Sequence, residues 1–142
     1  MFYGEFDYKL DEKGRVTVPP RFRNAFKDGV VLTPGQEPCI IAYTLSEWKK
    51  LAAELTGGSV APTSKLRRLN RAIFGTAFST HIDGQGRVAL PVPLRDYSAI
   101  EEDVVVAGAN NYLEIWSKDQ WEEEKAVSQE QAWQIIESLE KR

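Results

Sequence analysis

The chain has 142 residues, which is enough for one compact domain or two small repeated lobes. Its hydrophobic content of 42% and charged content of 27% are ordinary for a globular protein. No apolar run approaches the ~20 residues that a transmembrane helix needs, so the sequence excludes a helical membrane protein. The first residues lack the layout of a secretory signal, and a single cysteine excludes a disulfide framework. We therefore expect a cytoplasmic protein.

Charge is distributed unevenly along the chain, although the formal net charge of −3 argues against a simple polyanion binder. Residues 9–27 carry six basic side chains against two acids, and residues 65–95 carry six against one. Residues 101–142 carry eleven acids against four bases. The two basic windows are either solvated surface or a place where an anionic partner binds.

A nine-residue motif occurs twice, at residues 11–19 and 83–91. Both copies have the pattern Asp-x-x-Gly-Arg-Val-x-[Val/Leu]-Pro. Asp followed three residues later by Gly favours a tight turn, since Gly adopts positive φ without a steric clash. The alternating residues that follow favour a strand, which proline ends. Each basic window contains one copy, so we expect this repeat to organise the fold.

Four strands and two helices are predicted in the first half from alternation and turn residues. A short helix begins at Pro19-Pro20, between the second and third strands. A longer helix begins at a capping box, in which Thr44 and Glu47 satisfy free N–H groups, and it ends at Gly57-Gly58. Cys39 has two isoleucines beside it, which indicates a buried thiol. The predicted strands, of which the first two pair around the tight turn, are Phe2–Lys9, Arg15–Val18, Val30–Thr33 and Cys39–Tyr43.

The second half repeats the first beyond the motif itself. Strands are predicted at Val104–Ala107 and Tyr112–Trp116, and a second capping box begins at Ser117, the counterpart of Thr44. A third capping box at Ser128 predicts a separate terminal helix, whose apolar stripe packs on its own chain or on a neighbouring subunit. We divide the chain into a first repeat at 1–56, a linker with a basic helix at 57–73, a second repeat at 74–127 and a terminal helix at 128–142.

The basic helix of the linker is predicted to begin with Ser64 as its cap and to end at Gly75. Its apolar residues are spaced to face inward, which leaves its basic residues outward. The outward residues are Lys65, Arg67, Arg68 and Arg71. Of these, the three arginines form a solvated helix face or a subunit contact.

The arginine of each motif is the main candidate for function. Arg15 and Arg87 follow the turns, and an Asp four residues earlier is close enough to hold each of them. A guanidinium binds phosphate, or O6 and N7 of guanine, with two hydrogen bonds, so two copies fit duplex DNA. The competing interpretation is a charge pair that only stabilises the turn. Further candidates for phosphate contacts near the first turn are Lys9, Lys13, Arg21, Arg23 and Lys27.

Catalytic and metal-binding patterns are weak. His81 is the only histidine and has no partner ligand at a suitable spacing, so a metal site is not expected. The runs of consecutive acids at 101–103 and 122–124 do not converge on one point, and there is no phosphate-binding loop or nucleophile motif. We therefore expect no enzyme, no cofactor and no small-molecule substrate.

With both motifs in view, the chain resembles the MraZ family, bacterial regulators of the division and cell-wall gene cluster. The resemblance rests on the two Asp-x-x-x-Arg motifs, the opening Phe2–Phe6 and the Val-x-[Val/Leu]-Pro endings, and it covers about residues 1–125. It implies an α+β fold with a pseudo-two-fold swapped-hairpin β-barrel like that of AbrB. Two internal repeats would form this barrel within one chain, with flanking helices.

The resemblance also implies a function. It predicts a sequence-specific DNA-binding transcriptional regulator, nucleoid-associated, that assembles into a ring-like homo-oligomer and binds double-stranded DNA at short repeats in its own promoter. The alternative on the same barrel is a protein-interaction or antitoxin-like module, with Trp133 and Ile136 of the terminal helix as its surface. By position, the DNA contacts would be Arg15 and Arg87 with Lys13 and Gln85 beside them, and the turns would be shaped by Asp11, Gly14, Asp83 and Gly86.

Overall fold

The computed structural model describes residues 1–57 and 63–141. Within them, a short 3₁₀ helix at Pro20–Phe26 accompanies eight strands and four α-helices. The strands are β1 (Glu5–Lys9), β2 (Arg15–Thr17), β3 (Val30–Pro34), β4 (Ile40–Thr44), β5 (Phe78–Thr80), β6 (Arg87–Ala89), β7 (Asp103–Gly108) and β8 (Leu113–Ser117). The α-helices are α1 (Leu45–Thr56), α2 (Ser64–Ile73), α3 (Val92–Ser98) and α4 (Lys118–Glu140).

The strands obey a pseudo-two-fold symmetry that exchanges the two repeats. Six of them form an antiparallel sheet in the order β1-β7-β8-β4-β3-β5, and β2 pairs with β6 in a separate two-stranded ribbon. Exchanging β1–β4 for β5–β8 leaves both orders unchanged. At the centre of the sheet Ile41 lies opposite Glu114, its counterpart in the second repeat, and at the centre of the ribbon Val16 lies opposite Val88. The α+β class is confirmed.

The strands on either side of each turn do not pair with each other. Instead β1 pairs with β7, β5 with β3 and β2 with β6, so every one of these pairs joins the two repeats. The predicted pairing of Phe2–Lys9 with Arg15–Val18 is therefore wrong, because local alternation identifies a strand but not its partner. The predicted swapped-hairpin barrel is not confirmed, since the main sheet is open, with β1 and β5 at its edges.

The hydrophobic core lies between the sheet and the ribbon. Val16 and Val88 of the ribbon are each 1% exposed and pack against the inward side chains of the sheet. Phe22 of the 3₁₀ helix and Leu94 of α3, which occupy equivalent positions in the two repeats, complete this core. Burying such a side chain stabilises a fold by about 1.5–3 kcal/mol, so these residues hold the ribbon against the sheet.

Helices α1 and α4 pack on the opposite face of the sheet, where Tyr43 contacts Trp48 and Trp116 contacts Trp121. Phe74, which follows α2, packs on Trp48. The predicted caps of α1 and α4 are confirmed, because Thr44 Oγ1 accepts the Glu47 N–H at 3.2 Å and Ser117 Oγ accepts the Gln120 N–H at 3.3 Å. The cap of α2 is Thr63, one residue before the predicted Ser64. The predicted joint between the repeats falls mostly on residues 58–62, which lie outside the described residues.

Helix α4 is continuous over its 23 residues, about 35 Å, so the predicted start of a separate helix at Ser128 is wrong. The Ser128 hydroxyl donates to Glu124 Oε1 at 3.2 Å and caps nothing. From residue 126 to 141 every side chain except that of Ala132 is exposed. Even this helix is too polar for a bilayer, and no helix within residues 1–57 and 63–141 has both the length and the apolar character to cross one.

Candidate nucleic-acid interface

The first motif forms a tight turn, called here the first tip (residues 11–14), that is organised by one carboxylate. Asp11 Oδ1 accepts the backbone N–H groups of Lys13 and Arg15 at 2.9 and 2.8 Å, and Oδ2 accepts the Arg15 Nε–H at 2.7 Å. The Gly14 N–H donates to the Asp11 carbonyl at 3.0 Å, and Gly14 has a φ of +74°. A side chain at this position would strain the turn.

The second tip (residues 83–86) has the same hydrogen bonds. Asp83 Oδ1 accepts the backbone N–H groups of Gln85 and Arg87 at 2.9 Å each, and Oδ2 accepts the Arg87 Nε–H at 3.0 Å. Gly86 has a φ of +78° and donates its N–H to the Asp83 carbonyl at 3.0 Å. The two motifs therefore form the same local structure, as their shared sequence predicts.

The two tips lie side by side and join their charged side chains into one cluster, called here the tetrad (Asp11, Arg15, Asp83 and Arg87). Arg15 Nη1 lies 3.6 Å from Asp83 Oδ2, and Arg87 Nη1 lies 3.7 Å from Asp11 Oδ2. Each guanidinium thus contacts the carboxylates of both repeats. The two arginine side chains are 26% and 27% exposed, so they lie at the surface but are held down by the carboxylates and do not project freely.

The carboxylates of the tetrad are ionised at neutral pH. The backbone N–H of Arg15 donates to Asp11 and lowers the pKa of that carboxyl, and the guanidinium adds to the effect. The backbone N–H of Arg87 lowers the pKa of Asp83 in the same way. Two cations and two anions at close range make a cluster without net charge.

The ribbon orients the two arginines toward the same face of the molecule. Val16 and Val88 face the core, so by strand alternation their neighbours face outward. Arg15 lies opposite Ala89, and Thr17 lies opposite Arg87. Because small side chains stand beside both arginines, the ribbon leaves each guanidinium accessible from outside.

A second pair of arginines flanks the tetrad. The Arg23 Nε–H donates to the Val18 carbonyl at 3.0 Å, and the Arg95 Nε–H donates to the Leu90 carbonyl at 3.0 Å. Both side chains are partly buried. These bonds tie the 3₁₀ helix and α3 to the ends of β2 and β6.

Each of these two arginines packs on the tip of the opposite repeat. A Cβ atom at Gly14 would lie 2.9 Å from Arg95 Cζ, and one at Gly86 would overlap Arg23 Nε. The two glycines therefore have a second role besides turn formation, since each provides the bare backbone on which an arginine of the other half lies.

Sequence reasoning does not single out these two arginines as a pair. Arg23 was one of five candidates for phosphate contacts, and Arg95 had no assigned role. Each follows the last proline of its motif at the same distance along the chain, and this is the signal that would have identified them as a pair. Their contacts with the opposite tips were not predictable, because they depend on how the repeats exchange strands.

The other predicted contact residues are placed differently. Lys13 and Gln85 occupy equivalent exposed positions in the two tips. Lys9 is engaged elsewhere, with its Nζ atom 3.0 Å from Asp103 Oδ1. Arg21 lies over the ring of Phe6 at 5.3 Å. Of the candidates near the first turn, the structure brings Lys13, Arg15 and Arg23 to the tetrad face.

The described residues provide little for other chemistry. Within residues 1–57 and 63–141, no group of three or more His, Cys, Asp or Glu side chains is placed to hold a metal ion. His81 is exposed beyond the end of β5. Cys39 is fully buried, as predicted, and burial raises the pKa of its thiol, which keeps the sulfur protonated and poorly nucleophilic.

Known proteins match the chain over almost its whole length. The family model described as "MraZ protein, putative antitoxin-like" matches residues 1–68 and 73–139. A transcriptional regulator MraZ from Dehalococcoides mccartyi is 61% identical over 141 residues, 99% of each chain. Proteins of that name from Natranaerobius thermophilus and Deinococcus radiodurans are 42% and 38% identical, each over 86% of this chain and 85% of the relative. The resemblance carried by the paired motifs is confirmed, and the chain belongs to the MraZ family.

Proposed function

We propose that the protein is a DNA-binding transcriptional regulator that contacts double-stranded DNA with its tetrad face. The observation that carries this proposal is the placement of Arg15 and Arg87 side by side on one face, related by a pseudo-two-fold axis. The duplex backbone has two-fold symmetry of its own, so two equivalent tips match two equivalent strands. The name of the relatives, transcriptional regulator, supports the same role.

The carboxylates prepare the two arginines for binding. Holding a guanidinium in one orientation before binding reduces the conformational entropy that ordering would cost. A guanidinium also offers a planar fork for guanine or phosphate, which a lysine does not. Lys13 and Gln85, exposed at the two tips, are the polar side chains next to these forks and complete the proposed contact surface.

Replacing Arg15 with Ala tests this role. We expect the variant to bind a DNA fragment from upstream of its own gene more than tenfold more weakly. The planar guanidinium and its positive charge are both lost, while the Asp11 carboxylate remains. A gel-shift titration with scrambled competitor measures the affinity, and light scattering measures the oligomer size, which we expect to stay unchanged. Lys49→Ala, which removes an exposed charge from α1 on the opposite side of the sheet, is the control. Undiminished affinity in Arg15→Ala would contradict the proposal.

The proposal includes assembly into a ring that binds successive short repeats in its own promoter, ahead of the division and cell-wall gene cluster. One tetrad face offers few contacts, and several copies on neighbouring repeats add affinity through effective concentration. Strand exchange between the repeats supports a swapped-hairpin architecture for each subunit. Exposed apolar side chains at the end of α4 support self-association, since Trp133 is 74% exposed and Leu139 is 53% exposed.

The same exposed side chains favour a second candidate function, a protein-interaction or antitoxin-like module. Deleting residues 128–142 separates the two. If the terminal segment joins subunits, the truncated protein stays folded but forms smaller oligomers and binds repeat DNA less cooperatively. Light scattering and gel-shift titration measure both effects. An unchanged oligomer with unchanged DNA binding would leave this segment for a different protein partner and favour the second function.

A further inference from the structure

We infer that Arg23 and Arg95 form a pair of phosphate-binding sites on either side of the tetrad, and that they supply much of the attraction for the DNA backbone. This inference rests on the proposed function and assigns different tasks to the two pairs of arginines. Arg23 and Arg95 position the duplex through its phosphates. Arg15 and Arg87, held between carboxylates, contact the base edges that lie between those phosphates.

The charges of the face support this division. The tetrad contains two guanidinium groups and two carboxylates, joined by contacts of 3.7 Å or less, so its charges cancel. Arg23 and Arg95 form no ion pair with any residue in 1–57 or 63–141; their hydrogen bonds go to main-chain carbonyls. Glu12 and Lys13, both exposed at the first tip, offset each other in charge. A polyanion approaching this face therefore meets net positive charge at Arg23 and Arg95.

The hydrogen bonds that remain also point to a phosphate. A guanidinium has five N–H donors, and the Nε–H of each arginine is used by a carbonyl. The Nη groups have no acceptor among the residues that the structure describes. Because the backbone of the opposite tip supports each guanidinium, the plane of the fork is fixed before binding. A fixed fork with free donors suits bidentate contact with phosphate oxygens.

The pseudo-two-fold symmetry makes the two sites equivalent and puts one on each side of the tetrad. Arg23 and Arg95 are related by the same pseudo-symmetry as the two tips, and each lies on the tip of the other repeat. They therefore flank the pseudo-two-fold axis on opposite sides of the tetrad. Two phosphate sites arranged in this way contact one strand each on either side of a groove, and such contacts set register without specifying sequence.

The experiment compares Arg23→Ala, Arg95→Ala and the double variant of the full chain with wild type and the control Lys49→Ala. Binding to the upstream DNA fragment and to a scrambled fragment is titrated at several salt concentrations. We expect each single variant to lower affinity several-fold for both fragments, and to reduce the slope of log affinity against log salt by about 1, with about 2 for the double variant. Preference for the upstream fragment should stay unchanged, whereas Arg15→Ala should reduce that preference.

Two further variants separate phosphate binding from a structural role. Arg23→Lys keeps the charge, so its salt slope should match wild type. Arg95→Lys tests the second site in the same way, and its salt slope should also match wild type. Melting temperature and oligomer mass are measured for every variant.

The outcomes distinguish the inference from the function on which it rests. Wild-type protein that does not bind the upstream fragment would overturn the proposed function. Wild-type protein that binds, with salt slopes unchanged in Arg23→Ala and Arg95→Ala, would overturn the inference alone. So would an Arg23→Lys variant whose slope falls as far as that of Arg23→Ala.

Discussion

At the scale of single residues, one carboxylate organises each tip. Asp11 accepts two main-chain N–H groups and one guanidinium N–H, and Asp83 accepts the matching three. The spacing of four residues was enough to predict that each Asp holds its own Arg. The contact between Arg15 and Asp83 was not predictable from spacing, because it exists only when the two tips are adjacent.

The carboxylates of the tetrad make stability sensitive to acid. Hydrogen bonds lower the pKa of Asp11 and Asp83 in the folded protein, so below about pH 4, the ordinary pKa of Asp, the unfolded state binds more protons. Their stabilising contribution is present above that pH and is lost as the pH falls through the lowered values. We expect the double variant Asp11→Asn/Asp83→Asn to lose less stability than wild type between about pH 4 and pH 2. Thermal unfolding across that range measures this, and equal losses would contradict it.

At the scale of the elements, local signals located strands and helices but not their partners or every boundary. Strands β3, β4, β7 and β8 begin and end within a residue or two of their predicted limits. The capping-box pattern at Ser128 does not start a helix. Ser and Gln at this spacing are also accommodated in the interior of a helix when the neighbouring residues have high helix propensity. Which strands pair between the repeats depends on the hydrophobic core, where Val16 and Val88 lie opposite each other.

The stability of the ribbon depends on the packing of these two valines in the core. Val16→Ala removes two buried methyl groups opposite Val88, and we expect it to lower the free energy of unfolding by about 2 kcal/mol. Val88→Ala should have a similar effect, and the double variant should depart from additivity because the two side chains are neighbours. Urea unfolding followed by circular dichroism measures these changes. Glu12→Ala, at an exposed position of the first tip, should change stability by less than about 0.5 kcal/mol. A similar loss in Glu12→Ala would contradict this role of the core.

At the scale of the whole molecule, the internal repeat predicted the pseudo-two-fold symmetry, since two similar halves that meet do so most simply about an axis. It did not determine whether the strands close into a barrel, because closure depends on the tilt and register of strands whose partners come from the other half. The ring of subunits stays a prediction, since it depends on surfaces such as the end of α4.

Strand exchange ties the halves together more firmly than the chain between them. We expect that cutting the protein at a protease site engineered between residues 57 and 63 leaves both fragments in one particle with a single unfolding transition. Each of β1, β2 and β3 pairs with a strand of the other fragment, so separating the fragments breaks all of these pairs. Size-exclusion chromatography before and after cutting checks this against the intact chain. Elution as two separate fragments would contradict it.

Joining both repeats in one chain has a consequence for the DNA sequence that we propose the tetrad face to bind. A homodimer presents two identical DNA-contacting tips and is therefore suited to palindromic DNA sites. Here the two tips share the same main-chain hydrogen bonds, but one carries Glu12 and Lys13 where the other carries Gly84 and Gln85. The face therefore has two unlike sides, and under the proposed function we expect it to hold a duplex in one preferred direction. We therefore expect the proposed DNA sites to be asymmetric and to follow one another head to tail along the same strand.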